Sequence, residues 1–374
     1  MAPSMTYIRE ICRRFKAHIL MTIVQIGYTI LYFVTEASFN RGLNPHIYIT
    51  YRHLVSTLVM WPLAYFLERK LRPKLTLALL LELCVLSLLG ISLTLNMYFA
   101  SLEYTSPTFV ASMVNTIAAM TFIIAILLRF EHLDIKSPRG VAKAVGTLVS
   151  LVGVTIMTLY KGPAMRNFWG ALIHIQGNAI HESWLKGSIL TVASCITWSI
   201  WYIMQAVTLK RYPAQLSLTA WMSLIGAAQS AIFTAFVQHK PAAWKIGFDI
   251  KLWSILYGGV VCSGLIIYIQ LWCTEQKGPV FVTMFNPLST VMVALLAYFA
   301  FGERLFLGSI IGGIIVIVGL YLVLWGKDRD QEKEMRAEKA SFVANGRGRE
   351  QSNDSSDSPA TDGKRDSVKR YEEV

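Results

Sequence analysis

Two stretches of this chain carry the same pattern of residues, and this repetition constrains the fold more than any other feature. Six residues recur 172 positions later: Pro107, Phe109, Val110, Ala125, Glu131 and Leu133 return as Pro279, Phe281, Val282, Ala297, Glu303 and Leu305. After a six-residue contraction, four more recur 166 positions later: Gly146, Val152, Gly153 and Lys161 return as Gly312, Val318, Gly319 and Lys327. The chain is therefore predicted to contain two copies of one unit.

Long apolar runs make up most of both copies. Apolar residues account for 54% of the chain and charged residues for only 16%. A helix needs about 20 apolar residues to cross a hydrocarbon core of about 30 Å. Ten such runs can be placed, at 18–38, 46–66, 77–100, 107–128, 140–160, 185–208, 216–237, 251–273, 279–301 and 306–326. We therefore predict an all-α membrane protein with ten transmembrane helices.

The net charge of +12 invites a nucleic-acid interpretation, but the distribution of charge argues against one. Residues 327–374 hold 11 basic and 12 acidic residues, which leaves 24 basic and 11 acidic residues in the remainder. The basic excess lies beside apolar runs, at 1–17, 69–74, 129–143 and 210–211. This is the positive-inside pattern of membrane proteins. The pattern predicts that both termini lie in the cytoplasm and that the first span acts as a signal anchor. No nucleic-acid partner is expected.

The number of spans sets how the two copies are oriented. We divide the chain into a cytoplasmic segment (1–17), a first repeat of five spans (18–161), a linker (162–184), a second repeat (185–327) and a disordered cytoplasmic tail (328–374). Because each repeat holds an odd number of spans, the second repeat must be inverted relative to the first. Inverted repeats are typical of secondary transporters, which bind substrate near the membrane midplane between the halves.

Polar side chains inside the spans are the candidate site, because such groups are costly in hydrocarbon unless they face a cavity or a partner. Corresponding spans of both halves supply them, as a central cavity would require. The candidate substrate-binding residues are Gln25, Tyr28, Glu36, Asn96, Tyr98, Asn115, Trp201, Gln205, Tyr268, Gln270 and Asn286. The alternative is that they only join helices through hydrogen bonds. Arg52 and Lys143 are interpreted as structural, snorkelling or pairing near a membrane boundary.

Pro287 predicts a bend that is confined to one copy. A proline inside a helix removes a backbone hydrogen bond and clashes with the preceding turn. The corresponding stretch of the first copy, which begins at Asn115, has no proline. We therefore assign Pro287 as a hinge.

Nothing in the sequence requires a cofactor or a metal. The five cysteines show no paired spacing, so neither a disulfide framework nor a metal site is expected. His174 and His181 in the linker could form a zinc pair, but two histidines without further ligands make a poor site. The motifs of metalloproteases and serine hydrolases are absent from the sequence, so we predict that the chain is not an enzyme.

Several short motifs resemble one plant family. They are Tyr51-Arg52-His53, Tyr160-Lys161-Gly162-Pro163, Gly278-Pro279-Val280-Phe281, Pro287-Leu288-Ser289-Thr290, Gly302-Glu303 and the stretch from Gly319 to Lys327. Together they resemble the nodulin-21-like, or walls-are-thin-related, transporters of the drug/metabolite transporter superfamily, which carry EamA domains. The resemblance implies a ten-helix inverted-repeat carrier, and its characterised members mostly export or facilitate amino acids, with an auxin-transporting branch. Many members carry a basic residue where Glu36 stands and a proline where Ala118 stands.

We therefore predict a facilitator or exporter of amino acids that works by alternating access. In this interpretation Glu36 either pairs with the substrate ammonium or carries a proton. A carrier of auxin or another small aromatic or organic acid is the alternative, and a receptor or scaffold is a distant one. The expected partners are a small-molecule substrate and membrane lipid, and the oligomeric state is left open. The plasma membrane is the expected location, with the vacuolar membrane as the alternative.

Overall fold

The computed structural model describes residues 3–105, 107–131, 136–160, 184–301, 307–308 and 310–327. Within these ranges the regular structure is helical and no strand occurs. The linker, apart from Trp184, and the tail 328–374 lie outside the described residues, and so do the two linker histidines. The all-α prediction is confirmed for the described part of the chain.

The first half folds into five consecutive helices. They are α1 (Pro3–Asn40), α2 (Pro45–Leu67), α3, α4 (Pro107–Leu127) and α5 (Pro138–Leu159). Helix α3 is continuous but changes its winding, from Leu77–Ser87 through a π-helical segment at Leu88–Leu93 to Thr94–Tyr104. Helix α1 begins at Pro3, within the basic amino-terminal segment.

The second half repeats this series. Its helices are α6 (Trp184–Arg211), α7 (Gln215–Val237), α8, α9 and α10 (Ile310–Lys327). Helix α8 has the same three-part winding as α3, with a π-helical segment at Tyr257–Ile266 between Ile250–Leu256 and Ile267–Lys277. Helix α9 consists of Pro279–Met284 and Asn286–Phe301. A short 3₁₀ turn at Pro241–Trp244 connects α7 to α8.

Eight helices among the described residues are long and apolar enough to cross a membrane. They do not include α2, which carries Arg52 and His53, or α4, which contributes the shorter apolar stretch Met113–Leu127. Their outward faces are rich in large apolar side chains, such as Leu81, Leu148 and Ile232. Such a surface suits lipid, so the chain is an integral, multi-pass membrane protein.

Helices α2 and α7 form the centre of the fold and run antiparallel. Near the start of α2, Thr50 Oγ1 lies 3.3 Å from Oγ1 of Thr234, which is near the end of α7. Further along, the Ser56 and Ser223 hydroxyls lie 3.0 Å apart. The contacts between the halves also come in exchanged pairs: α3–α6 matches α8–α1, α4–α6 matches α9–α1, and α2–α8 matches α7–α3. Corresponding helices of the two copies thus make corresponding contacts.

Glycines bring α5 and α10 into close contact. A Cβ on Gly153 would lie 2.9 Å from the Gly312 carbonyl oxygen, and a Cβ on Gly319 would lie 2.7 Å from the Gly146 carbonyl oxygen. These four glycines form two of the pairs that recur 166 positions apart, Gly146 with Gly312 and Gly153 with Gly319. Because a side chain would collide with the opposite backbone, the repeated glycines set the distance between these two helices.

The two central helices are capped differently at their amino termini. Asn44 caps α2, since its Oδ1 accepts from the backbone N–H groups of His46 at 2.9 Å and Ile47 at 3.3 Å. The equivalent position before α7 is Ala214, which has no capping side chain. Instead Glu68, just after α2, accepts from the N–H groups of Leu216 and Ser217. A carboxylate is well placed there, because the first N–H groups of a helix lack partners within the helix.

Candidate functional site

A cavity of about 80 Å³ lies between helices of both halves. Most of its lining is apolar or aromatic, and the polar lining residues are Tyr28, Arg52, His53, Thr219, Ser223 and Ser263. They come from α1, α2, α7 and α8, which are four of the helices that make the exchanged contacts. By the usual measure of about 15 Å³ for one water, the cavity has room for about five waters or one small solute.

Arg52 is the charged group of this cavity. It is only 8% exposed, and its Nε donates to Ser263 Oγ at 2.6 Å. No carboxylate among the described residues lies within 4.0 Å of its guanidinium, whereas Lys143 and Arg211 pair with Glu131 and Glu82. An arginine side chain stays protonated in proteins. A buried cation without a counter-charge is costly, so this cavity suits an anionic group.

Ser263 connects Arg52 to His53. The His53 Nδ1 lies 2.9 Å from the Ile49 carbonyl oxygen, so Nδ1 carries the proton in the neutral ring and Nε2 is an acceptor. Ser263 Oγ lies 3.5 Å from that Nε2. The serine can therefore accept from Arg52 while its own hydroxyl points toward His53. This arrangement helps to orient the guanidinium, whose Cζ also lies 6.0 Å from the centroid of the Tyr48 ring.

Aromatic rings also line the cavity. Trp198 and Trp201 of α6 and Tyr28 of α1 line the cavity, and Trp201 is 5% exposed. The Trp201 indole packs so closely on Gly90 of α3 that a Cβ there would overlap the ring. Gly90 lies in the π-helical segment of α3, and Ser263 lies in that of α8. Such segments occur frequently at functional sites.

Among the residues predicted from the sequence, Tyr28 and Trp201 line this cavity directly. Gln270 is next to it, because the Tyr28 hydroxyl donates to its Oε1 at 3.3 Å. Gln25, Gln205 and Gln270 are each at most 1% exposed. One polar amide atom of each, Gln25 Nε2, Gln205 Oε1 and Gln270 Nε2, has no hydrogen-bond partner among the described residues.

Three predicted residues have other surroundings. Asn96 is buried and contacts the His46 ring at 2.5 Å from its Oδ1. Asn115 accepts from the Thr290 hydroxyl at 3.1 Å, which joins α4 to α9. Tyr268 packs against the cluster formed by Met60, Ala64 and Ala220. These positions join helices and do not line the cavity in this conformation.

The remaining predicted residues lie around the same core. The Tyr98 ring packs edge-on against Trp198, with centroids 6.3 Å apart. Glu36 is half-buried on α1 and takes part in at least one hydrogen-bond or electrostatic interaction. Asn286 is half-buried and is the first residue of the second segment of α9.

Helix α9 is interrupted at Phe285, directly before Asn286 and Pro287. Proline has no N–H to donate to the Thr283 carbonyl, and its ring crowds that turn. The corresponding helix α4 is uninterrupted from Pro107 to Leu127. The two halves therefore differ at this point in structure as they do in sequence.

Arg52 lines the cavity and bonds to Ser263, and no acid among the described residues pairs with it, so the pairing that the sequence suggested for Arg52 was wrong. Lys143 does pair, with Glu131 at 3.3 Å. The adjacent Arg52-His53 pair within an apolar run could have indicated a site, since intramembrane charges usually mark function. Gly90 gave no such signal, because its place in the cavity depends on the π-helical winding of α3.

A polytopic helical bundle with a charged central cavity defines a membrane carrier of small metabolites. Comparison with known families agrees. The model of the EamA-like transporter family matches the chain twice, at residues 15–159 and 185–325. The chain belongs to this family, and each match covers one of the two copies seen in the sequence.

Similar proteins are found in plants. A WAT1-related protein of Arabidopsis thaliana is 40% identical over 324 residues, covering 85% of this chain and 87% of the relative. Protein WALLS ARE THIN 1 of the same plant is 38% identical over 340 residues, covering 88% and 87%. An auxin-induced protein of Pinus taeda is 38% identical over 341 residues, covering 88% and 83%. The chain is thus a plant WAT1-like transporter of the drug/metabolite transporter class, as its motifs predicted.

A solved crystal structure shares the fold. It aligns with a TM-score of 0.63 and covers 83% of this chain and 98% of its own, at 16% sequence identity. At this identity the likeness concerns the fold alone. It extends over nearly the whole of that structure, so both halves of this chain belong to the shared architecture.

Proposed function

We propose that this protein carries small amino acids across the membrane, as a facilitator or exporter that works by alternating access. The observation that carries the proposal is Arg52, a buried guanidinium that lines the central cavity and has no carboxylate partner among the described residues. The carboxylate of an amino acid would supply the missing counter-charge. Arginine suits this role because its planar donors match both oxygens of a carboxylate.

The rest of the cavity suits the other end of an amino acid. An ammonium group is stabilised over the face of a tryptophan or tyrosine ring, and Trp198, Trp201 and Tyr28 supply such rings. The volume of about 80 Å³ fits a solute of a few heavy atoms, such as alanine. A substrate with a large side chain would require the cavity to widen.

The predicted amide ligands fit a second conformation of the same carrier. Gln25, Gln205 and Gln270 bury amide atoms that lack partners among the described residues. Leaving such an atom unsatisfied costs about 1–3 kcal/mol. Opening the bundle to either side would hydrate these amides or bring them to the substrate. We place the bend for this motion at Pro287, where α9 is already interrupted.

The proposed membrane topology has ten spans in two inverted halves, with both termini in the cytoplasm of a plasma-membrane protein. The antiparallel course of the corresponding helices α2 and α7 supports the inversion. The exchanged helix contacts support a two-fold relation between the halves. The orientation rests on the basic segments at 69–74, 129–143 and 210–211.

A small aromatic acid such as auxin is the second candidate substrate. The two tryptophans that line the cavity favour it, and so does the similarity to a protein of Pinus taeda that is described as auxin-induced. Arg52 would bind its carboxylate equally well. The two candidate substrates differ because an amino acid such as alanine carries an ammonium group and is smaller, whereas an indole acid has no ammonium group and is larger.

The deciding experiment is efflux from proteoliposomes that contain the full chain, preloaded with radiolabelled alanine or a radiolabelled indole acid. We expect alanine efflux above that of empty liposomes, with little inhibition by the indole acid. Strong indole-acid flux without alanine flux would replace the first candidate by the second. Absence of flux for both would contradict both proposals. Unchanged alanine flux in Gln205→Leu and Asn286→Leu would remove these amides from the site.

A further inference from the structure

A second, larger cavity of about 280 Å³ lies where α6 and α8 end and α9 begins. Its lining includes Leu209 and Lys210 of α6, Thr274 and Glu275 of α8, and Pro279 at the start of α9. The proposed topology places this end of the bundle in the cytoplasm. We propose that this cavity, called here the vestibule, is a second binding site that receives zwitterionic amino acids before they reach Arg52.

The vestibule presents two opposite charges that do not neutralise each other. Lys210 and Glu275 both line it, yet they form no ion pair within 4.0 Å. The Lys210 Nζ lies 5.1 Å from the centroid of the Phe130 ring, which is also part of the lining. One Glu275 oxygen accepts from Gln215 Nε2 at 2.5 Å. Each charge thus has a different neighbour, Phe130 for Lys210 and Gln215 for Glu275.

The neighbouring basic residue differs from Lys210. Arg211 pairs with Glu82 at 2.9 Å, and Glu82 also accepts from the Thr208 hydroxyl at 2.7 Å. Arg211 is therefore occupied between α6 and α3 and does not line the vestibule. Lys210 is left as the cation that faces the cavity.

This arrangement defines the chemical class of the ligand. A molecule with a carboxylate and an ammonium group can bridge Lys210 and Glu275, whereas an anion or a cation alone satisfies only one of them. Both side chains are exposed, so each contact is weak and contributes at most about 1 kcal/mol. Weak binding suits a site that passes its ligand on. The volume exceeds that of the central cavity, so larger side chains fit here first.

The inference rests on the proposed amino-acid transport and is tested by sidedness. Initial rates of radiolabelled alanine uptake would be measured in inside-out and right-side-out membrane vesicles that contain the full chain. Lys210→Gln and Glu275→Gln are each expected to raise KM about fivefold in inside-out vesicles, as expected for one lost contact. The KM in right-side-out vesicles should not change, because the vestibule opens to one side only.

The matched control is Lys70→Gln, which removes a lysine exposed at the same end of the bundle but outside the vestibule. An equal rise in KM for this variant would reduce the effect to general surface charge and overturn the inference. A wild-type KM in both vestibule variants would also overturn it, while alanine transport itself stands. If wild-type vesicles carry no alanine, the proposed function fails first, and the vestibule inference fails with it.

Unchanged KM in right-side-out vesicles also shows that both variants fold. A second readout uses inhibitors of alanine uptake in inside-out vesicles. Propionate lacks the ammonium group and ethylamine lacks the carboxylate. In Lys210→Gln the relative inhibition by ethylamine should rise, and in Glu275→Gln that by propionate should rise. Identical inhibition profiles in both variants would contradict the assignment of Lys210 to the carboxylate and Glu275 to the ammonium.

Discussion

Helices α2 and α7 occupy corresponding places in the two halves, but only one of them brings a charge to the central cavity. Counted from residues 15 and 185, where the two family matches begin, Arg52 corresponds to Met222 and His53 to Ser223. All four residues line the same cavity. The two helices occupy equivalent positions beside the cavity, but only α2 contributes a charged side chain to it. Duplication therefore explains the scaffold, while the substrate-binding character depends on the positions where the copies have diverged.

The largest expected effect is on Arg52. Arg52→Gln removes the cation that would bind the carboxylate, and a hydrogen bond to a charged group contributes about 1.5–3 kcal/mol. We therefore expect kcat/KM for alanine efflux from proteoliposomes to fall about 100-fold. The counterpart Met222→Leu keeps an apolar side chain of similar size, so its efflux should stay within about twofold of wild type.

The proposed difference between α2 and α7 would be contradicted if Arg52→Gln and Met222→Leu gave the same efflux. Equal efflux from Arg52→Gln and wild-type liposomes, at equal amounts of folded protein, would show that the guanidinium does not meet the substrate. Arg52→Lys provides an intermediate case, because it keeps the charge but loses the planar fork of donors. Alanine efflux from Arg52→Lys liposomes should lie between that of Arg52→Gln and that of wild type.

The amino-terminal caps of these helices give the next contrast. Asn44 caps α2 from its own chain segment, whereas Glu68 reaches across from the end of α2 to cap α7. Glu68 is 8% exposed and accepts two backbone N–H groups. Glu68→Ala should cost about 2 kcal/mol as a charged acceptor, and Asn44→Ala about 1 kcal/mol as an ordinary cap. Thermal unfolding in detergent would rank them, and a larger loss for Asn44→Ala would contradict this order.

Helices α4 and α9 provide the third contrast, since only α9 is interrupted. In Pro287→Ala the backbone N–H can again bond the Thr283 carbonyl, so the helix should straighten and stiffen. If the bend serves the transport cycle, the maximal efflux rate should fall about tenfold. Pro138→Ala is the control, because a proline at the first position of a helix costs no hydrogen bond. A wild-type efflux rate in Pro287→Ala would make the interruption merely structural.

Most of the scaffold could be predicted from the sequence, because the fold follows from features that single residues and runs display. Apolar runs mark the helices, and the prediction of 279–301 coincides with the limits of α9. The repeated glycines at 146, 153, 312 and 319 lie at one helix interface. The proline of the second copy lies two residues after the interruption at Phe285.

The central cavity was harder to predict. Which side chains face it depends on helix rotation, and the π-helical segments of α3 and α8 change that rotation in a way that periodicity does not show. Gly90 and Ser263 reach the cavity through those segments. Arg52 was misjudged because hydropathy alone does not separate a charge that pairs from one that faces a cavity.

The smallest expected effect tests the symmetry itself. Gly153 and Gly319 are counterparts, and a Cβ on either would lie 2.5–2.7 Å from a backbone nitrogen of the opposite helix, that of Val316 or Ser150. Alanine also favours a helix by about 0.5–1 kcal/mol over glycine, which offsets part of the overpacking cost of about 1–3 kcal/mol. Gly153→Ala and Gly319→Ala should therefore each lower thermal stability in detergent by about 1 kcal/mol, and by the same amount. Gly247→Ala, in open space, should change it little. Unequal losses at the two counterparts would show that α5 and α10 approach each other through one copy's glycines and that the two-fold relation does not extend to this interface.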